Sequence, residues 1–410
     1  MNSKQFIWHA KKGHGECIYS LKHNIGDYKL EIKKIVLNNY SFIKNEETRS
    51  AYAYELSLFC KDIDFVELIF DKLEKIKISD DYNFVYLVDN LYFYLRNNIK
   101  NYEKRILKIL FKHLKGDICS QEESNSICAL ISLIMDLKIE CNLKNIIDQY
   151  YEKHINTRLD LSLITLNYGI EFIKPNTIQR FDFNIFNDIK KFMDYIKNDS
   201  NFNKAIPYFE YYLSDELKKE LIEYYKRDSI SNELKIKIAK VFFYSKSVTI
   251  KDIDELEKLL LYSNSNVKKY IYEILCRFKT NKIRSLAYSL IKSEYKPFGI
   301  RMLLKNYENE DYMQVHSAIR NIRINYKNDD NWYDVEESLI EYFKRRKVDF
   351  RLLKDIKYFM INGLSSFSRY QLVRILKKYN KLSLEEMNNL KYDANWKIRK
   401  MFRKIEEDLK

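Results

Sequence analysis

The sequence predicts an all-α protein built as a row of stacked antiparallel helix pairs. Three observations carry that expectation. Apolar residues recur at helical spacing along almost the whole 410-residue chain. Gly (7) and Pro (3) are scarce, which disfavours the tight βα turns and phosphate loops of an α/β enzyme. The segments between periodic stretches are short and read as helix caps rather than hairpin turns. With 46% hydrophobic and 15% aromatic residues, the chain can bury enough surface to offset its ordering entropy, so disorder is excluded.

Taken in order, a helix is expected over 46–61, where Ala51, Tyr54, Leu58 and Phe59 make a stripe that Tyr52 and Leu56 widen. Another follows over 62–76 on Phe65, Leu68, Ile69, Leu73 and Ile76. The segment 80–96 places Phe84, Leu87, Val88, Leu91, Tyr92 and Leu95 on one broad face, wide enough to touch neighbours on two sides. Further helices are expected over 102–115, 122–138, 142–154 and 157–173, and roughly twenty in all. Ser79-Asp80-Asp81, Ser120-Gln121-Glu122-Glu123, Ser214-Asp215-Glu216 and Ser383-Leu384-Glu385-Glu386 offer N-caps followed by acids that suit the positive helix end. Gly116 is expected just past a helix end, and Pro175, Pro207 and Pro297 near helix starts. The stretch 172–202 is the least regular. The expected organisation is therefore an N-terminal helical array over 1–175, an irregular junction over 176–202 and a C-terminal array over 203–410, with one continuous array as the alternative.

Two C-terminal stretches look like copies of one unit. One passes from Ile238-Ala239-Lys240-Val241-Phe242-Phe243 through Thr249-Ile250-Lys251-Asp252 to Ser265-Asn266-Val267-Lys268-Lys269. The other passes from Leu372-Val373-Arg374-Ile375-Leu376 through Ser383-Leu384-Glu385-Glu386 to Asp393-Ala394-Asn395-Trp396-Lys397-Ile398-Arg399-Lys400. The closing polar-turn, aliphatic, basic run resembles the one that opens the inner helix of HEAT repeats, and Asn281-Lys282-Ile283-Arg284-Ser285-Leu286-Ala287 is a weaker match. The resemblance implies a HEAT-like α-solenoid in which the turn's Asp or Asn caps the helix and the basic residue bridges to the next repeat. It says almost nothing about activity. The logic of such arrays agrees with the broad apolar faces, since one helix pair cannot bury its own face and neighbours must stack.

One cluster has the residue types of a chemical site. Trp8-His9-Ala10-Lys11-Lys12-Gly13-His14-Gly15-Glu16-Cys17, followed by His23, holds three of the six His. His14 and Cys17, three apart, are the candidate pair for Zn²⁺ ligation or a Cys–His nucleophile. The plainer reading makes Gly13 and Gly15 a helix break and His14 a cap, so no metal, cofactor or catalytic residue is assigned. No GxxxxGK[ST], GxGxxG or HExxH is present, and the chain is expected not to be an enzyme.

The net charge of +14 fits an anionic partner, but concerns association rather than fold. Eleven of the eighteen Arg lie from Arg284 onward. Arg320, Arg323, Arg345 and Arg346 are the candidate anion- or partner-binding residues, since Arg presents a planar fork to phosphate and carboxylate. The competing reading makes these arginines bridges between repeats. The expected function is a non-enzymatic scaffold for a protein partner, with a nucleic-acid-binding solenoid as the alternative. Six cysteines without a CxxC pair read as small buried hydrophobes in a reducing compartment. The apolar run 127–135 is too short to span a bilayer and residues 1–9 lack the apolar core of a signal peptide, so a cytoplasmic protein without membrane insertion is expected.

Overall fold

A computed structural model describes residues 1–410 except 24, 42–47, 98, 100, 155–156, 158, 173–185, 187, 322–329, 346, 364 and 408–410. Among the described residues there are 24 α-helices and short 3₁₀ turns, with no strand. No helix among them is long and apolar enough to cross a membrane. The chain divides into two compact units: residues 1–177 with 360–410, and residues 178–359. Pro175, and with it part of the stretch read as irregular (173–185 and 187), lies outside the described residues.

The first unit begins with α1 (Ser3–Lys12), α2 (Glu16–Lys22), α3 (Lys29–Leu37), α4 (Thr48–Ser57), α5 (Phe65–Leu73), α6 (Asp81–Leu95), α7 (Glu103–His113), α8 (Gln121–Asp136), α9 (Leu143–Lys153) and α10 (Ser162–Tyr168). Helices two apart pack on each other, α4 on α6 and α6 on α8, while α3, α5 and α7 flank that row. The broad face expected on α6 is what allows this: Phe84, Leu87, Val88, Leu91 and Leu95 are all buried between neighbours. Each such side chain contributes about 1.5–3 kcal/mol of burial. Across the flank, Arg105 of α7 reaches Glu67, Asp71 and Glu74 on one face of α5 at 2.7, 3.2 and 2.8 Å. Helix α10 is shorter than the periodicity over 157–173 suggested, because Gly169 enters the left-handed region (φ 68°) and ends it.

The second unit contains α11 (Ile189–Lys197), α12 (Asp199–Tyr212), α13 (Asp215–Tyr225), α14 (Asn232–Tyr244), α15 (Ile253–Leu259), α16 (Ser265–Leu275), α17 (Asn281–Leu290), α18 (Lys296–Lys305), α19 (Tyr312–Arg320), α20 (Asp330–Phe343) and the start of α21 (Leu353–Asn362). Here the row is α12, α14, α16, α18 and α20, each on the next. Phe202, Phe209, Phe242, Ile271 and Leu303 are buried along it. Charged bridges cross between its helices. Arg301 of α18 pairs with Glu273 of α16 at 2.6 Å and Asp334 of α20 at 3.1 Å, and Arg284 pairs with Glu308, Glu310 and Asp311.

Local signals behave as capping physics requires. Ser120, Ser214 and Ser383 accept from the N–H three residues on, as does Asn264 at the start of α16. Pro297 sits in the first turn of α18. Four expectations fail. Asp80 stands at the N-cap of α6 but its side chain makes no capping bond, and the N-cap of α2 is Gly15 rather than His14. Pro207 lies inside α12, and Gly116 does not take the left-handed conformation; Lys138 (φ 55°) and Asn380 (φ 52°) do so instead.

The chain re-enters the first unit at Met360 and adds α22 (Ser366–Lys378), α23 (Leu384–Leu390) and α24 (Trp396–Glu407). The sequence reading kept 203–410 together; here residues 360–410 group with residues 1–177. The joining contacts are specific. Arg399 of α24 pairs with Glu55 of α4, and the Ala394 N–H donates to the Gly13 carbonyl at 2.8 Å.

Candidate functional site

The turn between α1 and α2 is the chemically richest place in the first unit. Helix α1 ends because Gly13 takes φ 67°, ψ 34°. The Gly13 N–H then donates to Ala10 O at 2.9 Å and the His14 N–H to His9 O at 3.0 Å, which satisfies two of the helix's last carbonyls. A β-carbon on Gly13 would fall 1.9 Å from an Arg49 nitrogen, and one on Gly15 1.9 Å from the Asn389 carbonyl oxygen. Both glycines are therefore required by close approach, and together they fold His14 inward.

The result is that His9, His14 and Glu16 face one another. His9 Nδ1 lies 3.2 Å from His14 Nδ1, and Glu16 Oε2 lies 3.8 Å from the former and 3.7 Å from the latter. His14 is only 5% exposed, and its carbonyl accepts from the Tyr52 hydroxyl. Trp8 meets both imidazoles edge-on, at 4.9 and 5.9 Å. Lys12, wholly buried, lies over the Trp8 ring at 3.5 Å and donates to the carbonyls of Ile361 and Asn362 at 3.4 and 2.8 Å. Arg369, also buried, pairs with Asp393 at 2.7 Å and donates to the carbonyls of Lys12 and Gly13 at 2.8 and 3.1 Å.

Electrostatics follow from this burial. Desolvation, reinforced by Lys12, holds the His9 imidazolium pKa down at about 4. Burial, then Arg369 and Lys12, holds His14 well below the usual imidazole range. Burial raises the Glu16 carboxyl. Two neutral imidazoles and one carboxyl therefore share the box. His9 and Glu16 also line a cleft of about 530 Å³ with Met1, Gln5, Tyr19 and Glu385.

The Cys17 thiol that the sequence paired with His14 faces elsewhere. It is fully buried, donates to the Phe6 carbonyl at 3.4 Å, and has its pKa pushed up by burial, so it is neither a thiolate ligand nor a nucleophile. The partners of His14 are His9 and Glu16.

Of the four arginines assigned to an anion surface, Arg323 and Arg346 lie outside the described residues. Arg320 donates to the Lys354 carbonyl at 3.0 Å, approaches the buried Asp355 at 3.7 Å and lies over Tyr358. Arg345 donates to the Lys305 carbonyl at 3.3 Å and lies over Tyr342. Arg320 thus serves α21, whereas Arg345 serves the end of α18. A second cleft, about 650 Å³, runs across α16, α18 and α20 of the second unit. Glu273, Asp334, Glu337 and Glu341 line it together with Arg277, Arg301, Lys305, Lys344 and Arg345.

Sequence reasoning missed His9 and Glu16 as a set with His14. The signal available was a His-x4-His-x-Glu spacing broken by two glycines, and it becomes legible only once the left-handed turn at Gly13 is known. Arg369 carried no local signal. Compared with known proteins, the chain matches no family model, no curated protein and no solved structure.

Proposed function

We propose that the chain is a HEAT-like α-solenoid acting as a non-enzymatic scaffold for a protein partner. The fold part of this reading is supported by helices that pack two apart in each unit and by ion pairs that tie neighbouring helices, the roles the resemblance gives to its polar turns and basic residues. The observation that carries the function is the mixed charge of the cleft across α16, α18 and α20. A groove for a polyanion gathers one sign of charge, since each neutralised phosphate adds affinity by counterion release. Here four carboxylates are interspersed with five basic side chains, so the groove does not gather the single sign that a phosphate backbone favours. The mixture suits a polypeptide that carries both signs. Arg320 and Arg345, held by internal carbonyls, support the same choice.

The test is photo-crosslinking from the groove. A benzoylphenylalanine in place of Lys305 or Glu337 is expected to give discrete protein adducts in the native cell, while the same probe at exposed Lys33 gives none. Fluorescence anisotropy at about 0.15 M ionic strength is expected to show no tight binding of duplex DNA or RNA. Nucleic-acid adducts from the groove, or tight and steeply salt-dependent duplex binding, would reverse the choice of partner.

A further inference from the structure

The geometry points to a divalent transition-metal site formed by His9 Nδ1, His14 Nδ1 and Glu16, with an open coordination position facing the 530 Å³ cleft. This goes beyond the scaffold reading and does not depend on it.

Three observations converge. The ligand atoms are already gathered, all within 4.8 Å of one another. A tetrahedral ion with ligands at about 2.0–2.1 Å separates them by about 3.3–3.4 Å. The observed 3.2, 3.7 and 3.8 Å therefore ask for shifts of a few tenths of an ångström. The donor set of two imidazoles and one carboxylate suits Zn²⁺ or Fe²⁺ rather than Mg²⁺ or Ca²⁺, which prefer oxygen throughout. Lastly, the positions are built rather than incidental. His14 is fixed by burial, by the edge of Trp8 and by the turn that Gly13 and Gly15 permit, while His9 and Glu16 reach the cleft and give the ion an entry path.

Glu16 is the single anionic ligand, so a bound divalent ion keeps one positive charge. Of the cations around His14, Lys12 is committed to Trp8 and two carbonyls, and Arg369 to Asp393 and two more. With Nδ1 on the ion, the His14 proton sits on Nε2, which is buried without a hydrogen-bond partner. Packing, not a hydrogen bond, orients this ring. Three protein ligands leave at least one position for water or another small oxygen donor entering from the cleft.

The experiment is a titration of the full chain, stripped with chelator, with Co²⁺ and Zn²⁺. Co²⁺ is followed by its visible d–d bands and Zn²⁺ by calorimetry. One equivalent of each is expected to bind, Zn²⁺ displacing Co²⁺ and Mg²⁺ failing to. His14→Ala removes the buried ligand but risks the fold. His9→Gln and Glu16→Gln, on half-buried residues, are the decisive variants. Each is expected to weaken binding by more than about 100-fold, beyond the roughly 10–100-fold that loss of an outer partner of a ligand costs, with unchanged far-UV circular dichroism. Absence of saturable uptake by the folded wild-type chain, or uptake that survives both substitutions, overturns the site.

Discussion

Replacing Arg369 tests whether residues 360–410 are integral to the first unit or merely adjacent to it. Arg369 is 2% exposed and Asp393 1% exposed. Arg369→Ala leaves the Asp393 carboxylate buried, with the Asn395 N–H (2.9 Å) as its remaining partner, and takes a donor from the Lys12 carbonyl. Breaking a buried ion pair from one side costs about 3–5 kcal/mol, because an unpaired charge is left behind. Against a typical domain stability of about 5–15 kcal/mol, that is a large fraction. At about 2–4 °C per kcal/mol for a unit of this size, the transition should fall by about 6–20 °C. Urea and thermal denaturation followed by circular dichroism give the size. Hydrogen exchange gives the place, and protection should be lost first in α1, α2 and α22. The double variant Arg369→Met with Asp393→Leu removes both charges and should recover most of the loss. A change below about 1 kcal/mol for Arg369→Ala, or a double variant worse than either single one, would refute the argument.

Three further outcomes are expected. Gly13→Ala and Gly169→Ala share a left-handed φ, so each carries about 1–2 kcal/mol of backbone strain. Only the first also drives a β-carbon into Arg49 and Ala394, so in urea melts Gly13→Ala should be clearly the worse, and equal losses would remove the steric reading. In maleimide labelling, exposed Cys119 should react at once and buried Cys17 only on unfolding; early labelling of Cys17 would contradict its packing against Phe6. Arg320→Ala and Arg345→Ala should each lower stability by about 0.5–1.5 kcal/mol without changing retention on a heparin column. Reduced retention at constant melting temperature would return these arginines to an anion surface.

What could be read in the sequence was whatever is decided within one helical turn. Ser120, Ser214, Ser383 and Asn264 cap helices because a cap needs only a side chain and an N–H three residues on. The wide stripe on α6 announced contacts on two sides for the same local reason. Gly116 and Pro207 misled because the position of a helix end depends on packing as well as on residue type. Lys138 and Asn380 show packing imposing a left-handed turn without glycine. The candidate site was half legible. His14 stood out, but its partners are chosen by one backbone reversal at Gly13, and Cys17, three residues along, is carried to the inner side of α2. The Arg369–Asp393 pair lay beyond any local argument, since its third partner, the Lys12 carbonyl, is 357 residues from Arg369 in the chain.

That separation has a consequence for biosynthesis. Lys12 leaves the ribosome 357 residues ahead of the guanidinium that binds its carbonyl. At about 5–20 residues per second the interval is roughly 20–70 s. Throughout it the nascent chain displays the α1–α2 turn without Arg369, and Glu55 without Arg399. The intervening residues 178–359, a compact unit of their own, emerge complete before the last three helices do. Closure of the first unit is therefore a late, long-range event.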